Sequence, residues 1–255
     1  MSPAVPLPID APELRFTAAG DGEVARTLHP SGLRVLTERV PGARSTTIGF
    51  WIPAGSRDEA EGSFGSTHFL EHLLFKGTPT RTALDIAIAF DSVGGDHNAV
   101  TNKEYTCYYA KVRDRDLAMA VEVLADMVAA SLIDAQEFET ERGVILEELA
   151  AADDDPGDVV NERFAEAVFG EHSLARPIGG SEASIEAVGR DAVLEHYREH
   201  YLPSDLVVTA AGALEHDALV DAIVAALARG GWAMDAVAPP RPRRAGETAA
   251  IIPIE

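Results

Sequence analysis

Apolar positions along this chain follow two periods, and the alternation between them divides it into elements. Ile48, Phe50 and Ile52 alternate with Thr47, Gly49 and Trp51, the period-two pattern of a strand with one buried face. Comparable stretches predict strands over 23–28, 33–40, 46–52, 96–101, 104–112 and 206–211. In 104–112, Tyr105, Cys107 and Tyr109 alternate with Thr106, Tyr108 and Ala110, so Cys107 reads as a packed strand residue rather than a reactive thiol. Leu117, Val121, Leu124, Val128 and Leu132 instead recur every three or four residues and predict an amphipathic helix. Further helices are predicted over 66–75, over 83–93 behind a Thr82 cap, from Asp134 to about residue 152, and over 159–169, 191–201 and 216–228. Asp134 and Glu137 have capping-box spacing, and Asp153-Asp154-Asp155-Pro156-Gly157 stops the helix they start. Strands in adjacent pairs with consecutive helices between the groups predict an α+β fold, a largely antiparallel sheet with helices packed on one face. Residues 1–22, rich in Pro, Ala, Gly and Asp, read as a loose leader, and 23–232 as one domain. The Pro- and Arg-rich stretch 233–255 reads as a linker and the start of a missing second domain.

Composition narrows the function more than the fold. Of 255 residues, 46% are apolar, ample material for a core. Lys and Arg number 21 against 42 Asp and Glu, a formal charge of −21. Such a charge repels phosphate backbones and anionic headgroups, which argues against nucleic-acid and membrane partners and weakly favours basic peptides. The single cysteine rules out an internal disulfide and a cysteine-built zinc site. The opening Met-Ser-Pro-Ala-Val-Pro has neither the basic nor the apolar region of a secretory signal. No apolar run approaches the roughly 18 residues of a membrane span, and a cytoplasmic location is the expectation.

The segment with chemical content is His68-Phe69-Leu70-Glu71-His72. Histidines four apart on a helix lie one above the other and can reach one ion. Glu71 shares a face with His68 and is placed to act on water beside that ion. Phe69, Leu70, Leu73, Leu74 and Phe75 make this helix apolar nearly all round and hence buried. Two imidazoles and a carboxylate buried without partners would cost several kcal/mol, and a metal resolves the conflict. The predicted helix after Asp134 offers further carboxylates: Glu141 and Glu148 are seven apart and share a face. One can ligate while the other orients a ligand histidine. Gly143 between them sacrifices roughly 1 kcal/mol of helix propensity, which suggests close passage of another backbone. A second match to the same string, His196-Tyr197-Arg198-Glu199-His200, sits among Glu195, Arg198 and Glu199 and reads as a solvated surface face.

These residues resemble the pitrilysin/insulinase family of zinc metallopeptidases with its inverted zincin motif, and within it most the processing-peptidase beta subunit and its bacterial relatives. The family's third ligand follows the second histidine by 76 residues, and here 148 − 72 = 76. Ala54-Gly55-Ser56-Arg57-Asp58-Glu59, Phe75-Lys76-Gly77-Thr78, the stretch Gly94–Thr101 with Glu104–Tyr108, Arg176–Gly180 and Tyr201–Val208 are similar to further family segments. The resemblance implies that His68, His72 and Glu148 hold Zn2+, that Glu71 is the general base, and that Glu141 holds a ligand histidine. It implies a peptide or unfolded protein substrate. In extended form such a substrate pairs with an exposed sheet edge, the strand near Asn98–Thr101, with Asn98 and Ala99 as its contacts, and Phe69 either lines a side-chain pocket or packs in the core. It further implies a homologous second half, in cis or in trans, or a homodimer, without which the chain is a weak or inactive peptidase. His97 reads as a bystander. The competing readings are a non-catalytic assembly subunit and a purely structural metal site.

Overall fold

The computed structural model describes residues 11–239; the first ten residues of the predicted leader and the predicted linker from residue 240 onward lie outside the described residues. Strands β1 (Glu13–Thr17), β2 (Glu23–Leu28), β3 (Arg34–Arg39) and β4 (Ser45–Ile52) come first. Helices α1 (Ser66–Leu73) and α2 (Ala83–Asp91) lead into a hairpin of β5 (Asp96–Thr101) and β6 (Thr106–Arg113). Then come α3 (Leu117–Ala130), α4 (Ala135–Asp154), α5 (Pro156–Phe169), α6 (Glu182–Ala187) and α7 (Arg190–His200), followed by β7 (Val207–Gly212) and α8 (His216–Arg229).

The strands form one sheet in the order β1-β2-β3-β7-β4-β6-β5. Every pairing is antiparallel except β3 with β7. The alternation in β4 does what its period requires: Ile48 lies opposite Ala110 and Phe50 opposite Tyr108, and all four are buried. They meet Phe69, Leu70 and Leu73 of α1 and Val121, Leu124 and Val128 of α3 in one core, and each large side chain so buried contributes about 1.5–3 kcal/mol. Trp51 and Tyr109 point to the other face, where Leu36 and Val100 stay partly exposed. The architecture is the predicted α+β one, and it places α1 beside the edge strand β5.

Residues 13–17, read from sequence as leader, instead pair in register with β2, from Glu13 opposite Thr27 to Thr17 opposite Glu23. An edge strand needs one neighbour and little burial: β1 has no fully buried residue, and its two-residue alternation of Leu14 and Phe16 against Glu13, Arg15 and Thr17 is short enough to be lost in the leader's composition. Leu132 is a second correction. The chain leaves α3 at an extended Ser131, and Leu132 is half exposed with its N–H donating to Gly77 O at 3.1 Å. Helix α6, which the sequence does not announce, is a six-residue turn capped by the Ser181 hydroxyl.

Candidate metal centre

Helix α1 opens at Gly65 with φ +95°, a left-handed conformation that glycine adopts without strain. A Cβ there would also collide with Ile185 Cδ1. Glycine has no side chain with which to cap the helix. The orphan donors of the first turn are met instead by Glu59, whose carboxylate accepts from Gly65 N at 2.9 Å and from Thr67 N at 2.7 Å. Burial pushes the Glu59 carboxyl above its usual range, opposed by these two bonds, by the Thr67 hydroxyl and by the nearby Arg176. Helix α4 begins at Asp134, whose side chain accepts from Gln136 N and Glu137 N at 2.8 and 3.1 Å.

Packing of α4 on α1 brings the distant carboxylates to the histidines. His68 Nε2 and His72 Nε2 are 3.2 Å apart. Glu148 Oε2 lies 3.4 Å from the first and 3.5 Å from the second. Tetrahedral zinc with bonds of about 2.0–2.2 Å sets neighbouring donor atoms about 3.3–3.6 Å apart, so these three atoms have the spacing of one face of that tetrahedron. The donor set of two nitrogens and one carboxylate oxygen suits zinc, and three protein ligands leave a fourth position for reactants. Burial, then His72, lowers His68 to a pKa of about 4 against the opposing pull of Glu148. His68 is therefore a neutral imidazole near pH 7, the form that offers a lone pair. Its Nδ1 is buried with no hydrogen-bond partner among the described residues. A Cβ at Gly179 would stand 3.3 Å from that atom and 2.8 Å from Leu149 Cδ2, so glycine lets the segment before α6 close over the ring.

His72 is oriented from behind. Its Nδ1 donates to Glu141 Oε2 at 2.9 Å, because a carboxylate can only accept. The remaining Nε2 lone pair then faces Glu148. Lys76 Nζ lies 2.7 Å from the other oxygen of Glu141, which is only 2% exposed. Burial alone would raise the Glu141 carboxyl, but Lys76 and His72 outweigh it and hold it below the usual carboxylate range.

Glu71 and His72 share a recess of about 290 Å³ with Phe75, Lys76, Asn98, Glu141 and Glu148. On the other side, His68 and Glu148 border a longer groove of about 710 Å³ between α4, α5 and the 175–180 segment. Asp153, Asp158, Glu162 and Glu166 line it, with Arg163 and Arg176 as its cations. One oxygen of Glu162 is buried with no hydrogen-bond partner among the described residues.

The remaining residues singled out from sequence fall in different places. Asn98 is exposed at the edge strand, and its Oδ1 accepts from Ala99 N at 2.9 Å. Ala99 itself is buried. Phe69 does not line a pocket: it is fully buried and stacks on Phe138 with centroids 4.6 Å apart. A helix that carries ligands on one side carries core residues on the other, and Phe69 falls on the core side. His97 stacks on Phe90 at 4.3 Å and is not among the residues of the donor triangle. Gly143 has open space where its Cβ would be, so no backbone passes there and the inference of close approach is wrong.

The second histidine string also needs correction. His196 is 4% exposed, not solvated. Burial, then His200, pushes its pKa down to about 3, and its Nε2 lies 3.2 Å from the Thr67 hydroxyl. The clue lies in the sequence: Val193 and Tyr197, three before and one after it, mark the buried face of α7. Among the described residues it joins no metal-binding cluster.

Two histidines on α1, a carboxylate from α4 closing on them and an unused glutamate of α1 in a recess shared with the edge strand β5 place the site in the class of metal-dependent hydrolytic centres. The chain belongs to the insulinase family, peptidase family M16, whose family model matches residues 34–182. It is 49% identical over 227 residues to an uncharacterized zinc protease of Streptomyces coelicolor, covering 89% of this chain and 50% of that one. It is 37% identical to a probable mitochondrial-processing peptidase subunit beta of Arabidopsis thaliana, over 86% of this chain and 41% of that one. The solved structure of a putative M16-like peptidase from Alicyclobacillus acidocaldarius superposes with a TM-score of 0.76 at 26% identity, covering 84% of this chain and 51% of that one. The chain thus spans about half the length of these relatives. Peptidase chemistry, with zinc as the usual metal, is that of the family.

Proposed function

We propose that this chain is the catalytic half of a zinc endopeptidase acting on extended peptides or unfolded protein segments. The observation that carries the reading is the triangle of His68, His72 and Glu148, whose edges of 3.2, 3.4 and 3.5 Å match the spacing of zinc donors. A zinc ion held there supplies Lewis acidity to a peptide carbonyl and makes water acidic near neutral pH. Glu71, in the adjoining recess, accepts the proton of the attacking water and passes it to the amine as the C–N bond breaks. Glu141 keeps the His72 ring in its orientation throughout. An extended substrate pairs with the edge of β5, the end strand among the described residues, near Asn98 and Ala99, and the acidic groove beside His68 suits cationic side chains.

A homologous second half, in cis, in trans or as a second copy, completes the enzyme, and the chain by itself is weakly active or inactive. Replacing Glu71 with Gln tests the assignment. Zinc should still bind one-to-one, while hydrolysis measured together with the completing half should disappear. Undiminished hydrolysis would remove Glu71 from the role of base. Peptide turnover by the isolated chain at ordinary enzyme rates would refute the need for a second half.

A further inference from the structure

The buried acid Glu59, which caps α1, and the second histidine string meet at one residue. Thr67, fully buried, immediately precedes His68. Its N–H donates to Glu59 at 2.7 Å, and its hydroxyl, close to the same carboxylate, helps hold the Glu59 pKa down. The same hydroxyl oxygen lies 3.2 Å from His196 Nε2. With the hydroxyl proton directed to the carboxylate, that oxygen is left as acceptor and His196 Nε2–H as donor. A neutral His196 supplies one such proton, in keeping with its strongly lowered pKa. The three residues are 6%, 0% and 4% exposed, so every partner in this chain is shielded from water.

We propose that Glu59, Thr67 and His196 form a buried positioning network that fixes the first turn of α1, and through it the direction of His68, for metal binding. The inference rests on the metal reading above. Three separate segments converge here: the loop before α1, α1 itself and α7. Helix α1 lacks a side-chain cap of its own, so its first turn has no local source of rigidity. His68 occupies that turn, and its ring bonds no group at Nδ1 among the described residues. Its orientation therefore depends on the backbone that carries it, together with the packing of the 175–180 segment and His72 against the ring. His72, one turn later, has Glu141 behind its ring instead. The two ligands are thus held by different means: one through its imidazole, the other through the helix start. The network uses neutral donors at Thr67 and His196, so removing them alters position without altering the charge of the site.

Zinc affinity, measured on the folded chain by competition with a chromophoric chelator, tests this, with the visible spectrum of the cobalt form and metal-free thermal unfolding alongside. Thr67→Val keeps the shape and removes the hydroxyl; Thr67→Ser restores it. The expected result is about a threefold to tenfold loss of zinc affinity in Thr67→Val, the worth of one hydrogen bond, with an altered cobalt spectrum and recovery in Thr67→Ser. His196→Leu should show a similar loss, and His196→Gln, which can keep a donor at that distance, a smaller one. Combining Thr67→Val with His196→Leu should cost less than the sum of the two, since both break the same contact. Wild-type affinity and spectrum in folded Thr67→Val would overturn the proposal, as would fully additive losses. A lowered unfolding temperature with unchanged affinity would show a structural role only and overturn it as well. Should His196→Leu not fold, the Thr67 pair decides alone. Failure of the unaltered chain to bind one zinc would instead defeat the metal reading itself.

Discussion

His72 Nδ1 donates to Glu141 Oε2 across 2.9 Å, from one helix to another and over 69 positions of sequence. The contact fixes which nitrogen of His72 is free, since the carboxylate accepts the proton of the other. Partners of this kind are worth about tenfold to hundredfold in metal affinity. Glu141→Ala should therefore weaken zinc binding by that factor while leaving one site per chain, as read by chelator competition. Unchanged affinity would show that His72 is oriented by something else.

Acid should destabilise the metal-free fold before it titrates ordinary carboxylates. His196 has a folded pKa of about 3 and His68 one of about 4, against 6.5 for a free imidazole. Between about pH 6.5 and these values the unfolded chain binds protons that the folded chain does not, so stability falls as pH falls through that window. Each such group contributes a slope of up to about 1.4 kcal/mol per pH unit. His196→Gln should flatten the pH dependence of urea unfolding between pH 6.5 and 4. An equal slope in the variant would contradict the buried, neutral assignment of His196.

Phe69 separates a packing role from a substrate role. Fully buried against Phe138, it should cost about 3–5 kcal/mol of stability on replacement by Ala, in chemical denaturation of the metal-free chain. A loss below about 1 kcal/mol would mean that the side chain is not in the core.

Gly143 should be improvable. It lies on the exposed side of α4, and a Cβ added there would meet nothing within 4 Å. Gly143→Ala should raise stability by roughly 0.5–1 kcal/mol through helix propensity alone. A fall in stability would reveal a contact that the structure does not contain.

Much of the centre is legible in sequence because its first half is local. Two histidines four apart on one helix meet whatever the rest of the fold does. Glu148 is legible only through the family spacing, since nothing in the sequence itself says how α4 packs on α1. Glu141 and Glu148 are interchangeable until packing turns one toward the Lys76–His72 pair and the other toward both histidines. The role of Glu59 leaves no trace, because an acid capping a helix from a loop eight positions before Thr67 has no period. His196 misleads because its charged neighbours Glu195, Arg198 and Glu199 face solvent or half-solvent while Val193 and His196 face inward. Strand β1 escapes notice for the opposite reason: its alternation of Leu14 and Phe16 with polar residues spans only five positions and follows a Pro- and Ala-rich stretch.

Zinc K-edge X-ray absorption on the one-to-one complex of the chain tests the central claim most directly. The account predicts a four-coordinate shell at about 2.0–2.2 Å, with the outer-shell scattering of two imidazoles and the balance oxygen, and loss of one oxygen contact or of tight binding in Glu148→Ala. A six-oxygen shell without imidazole scattering, or an unchanged shell and affinity in Glu148→Ala, would contradict it.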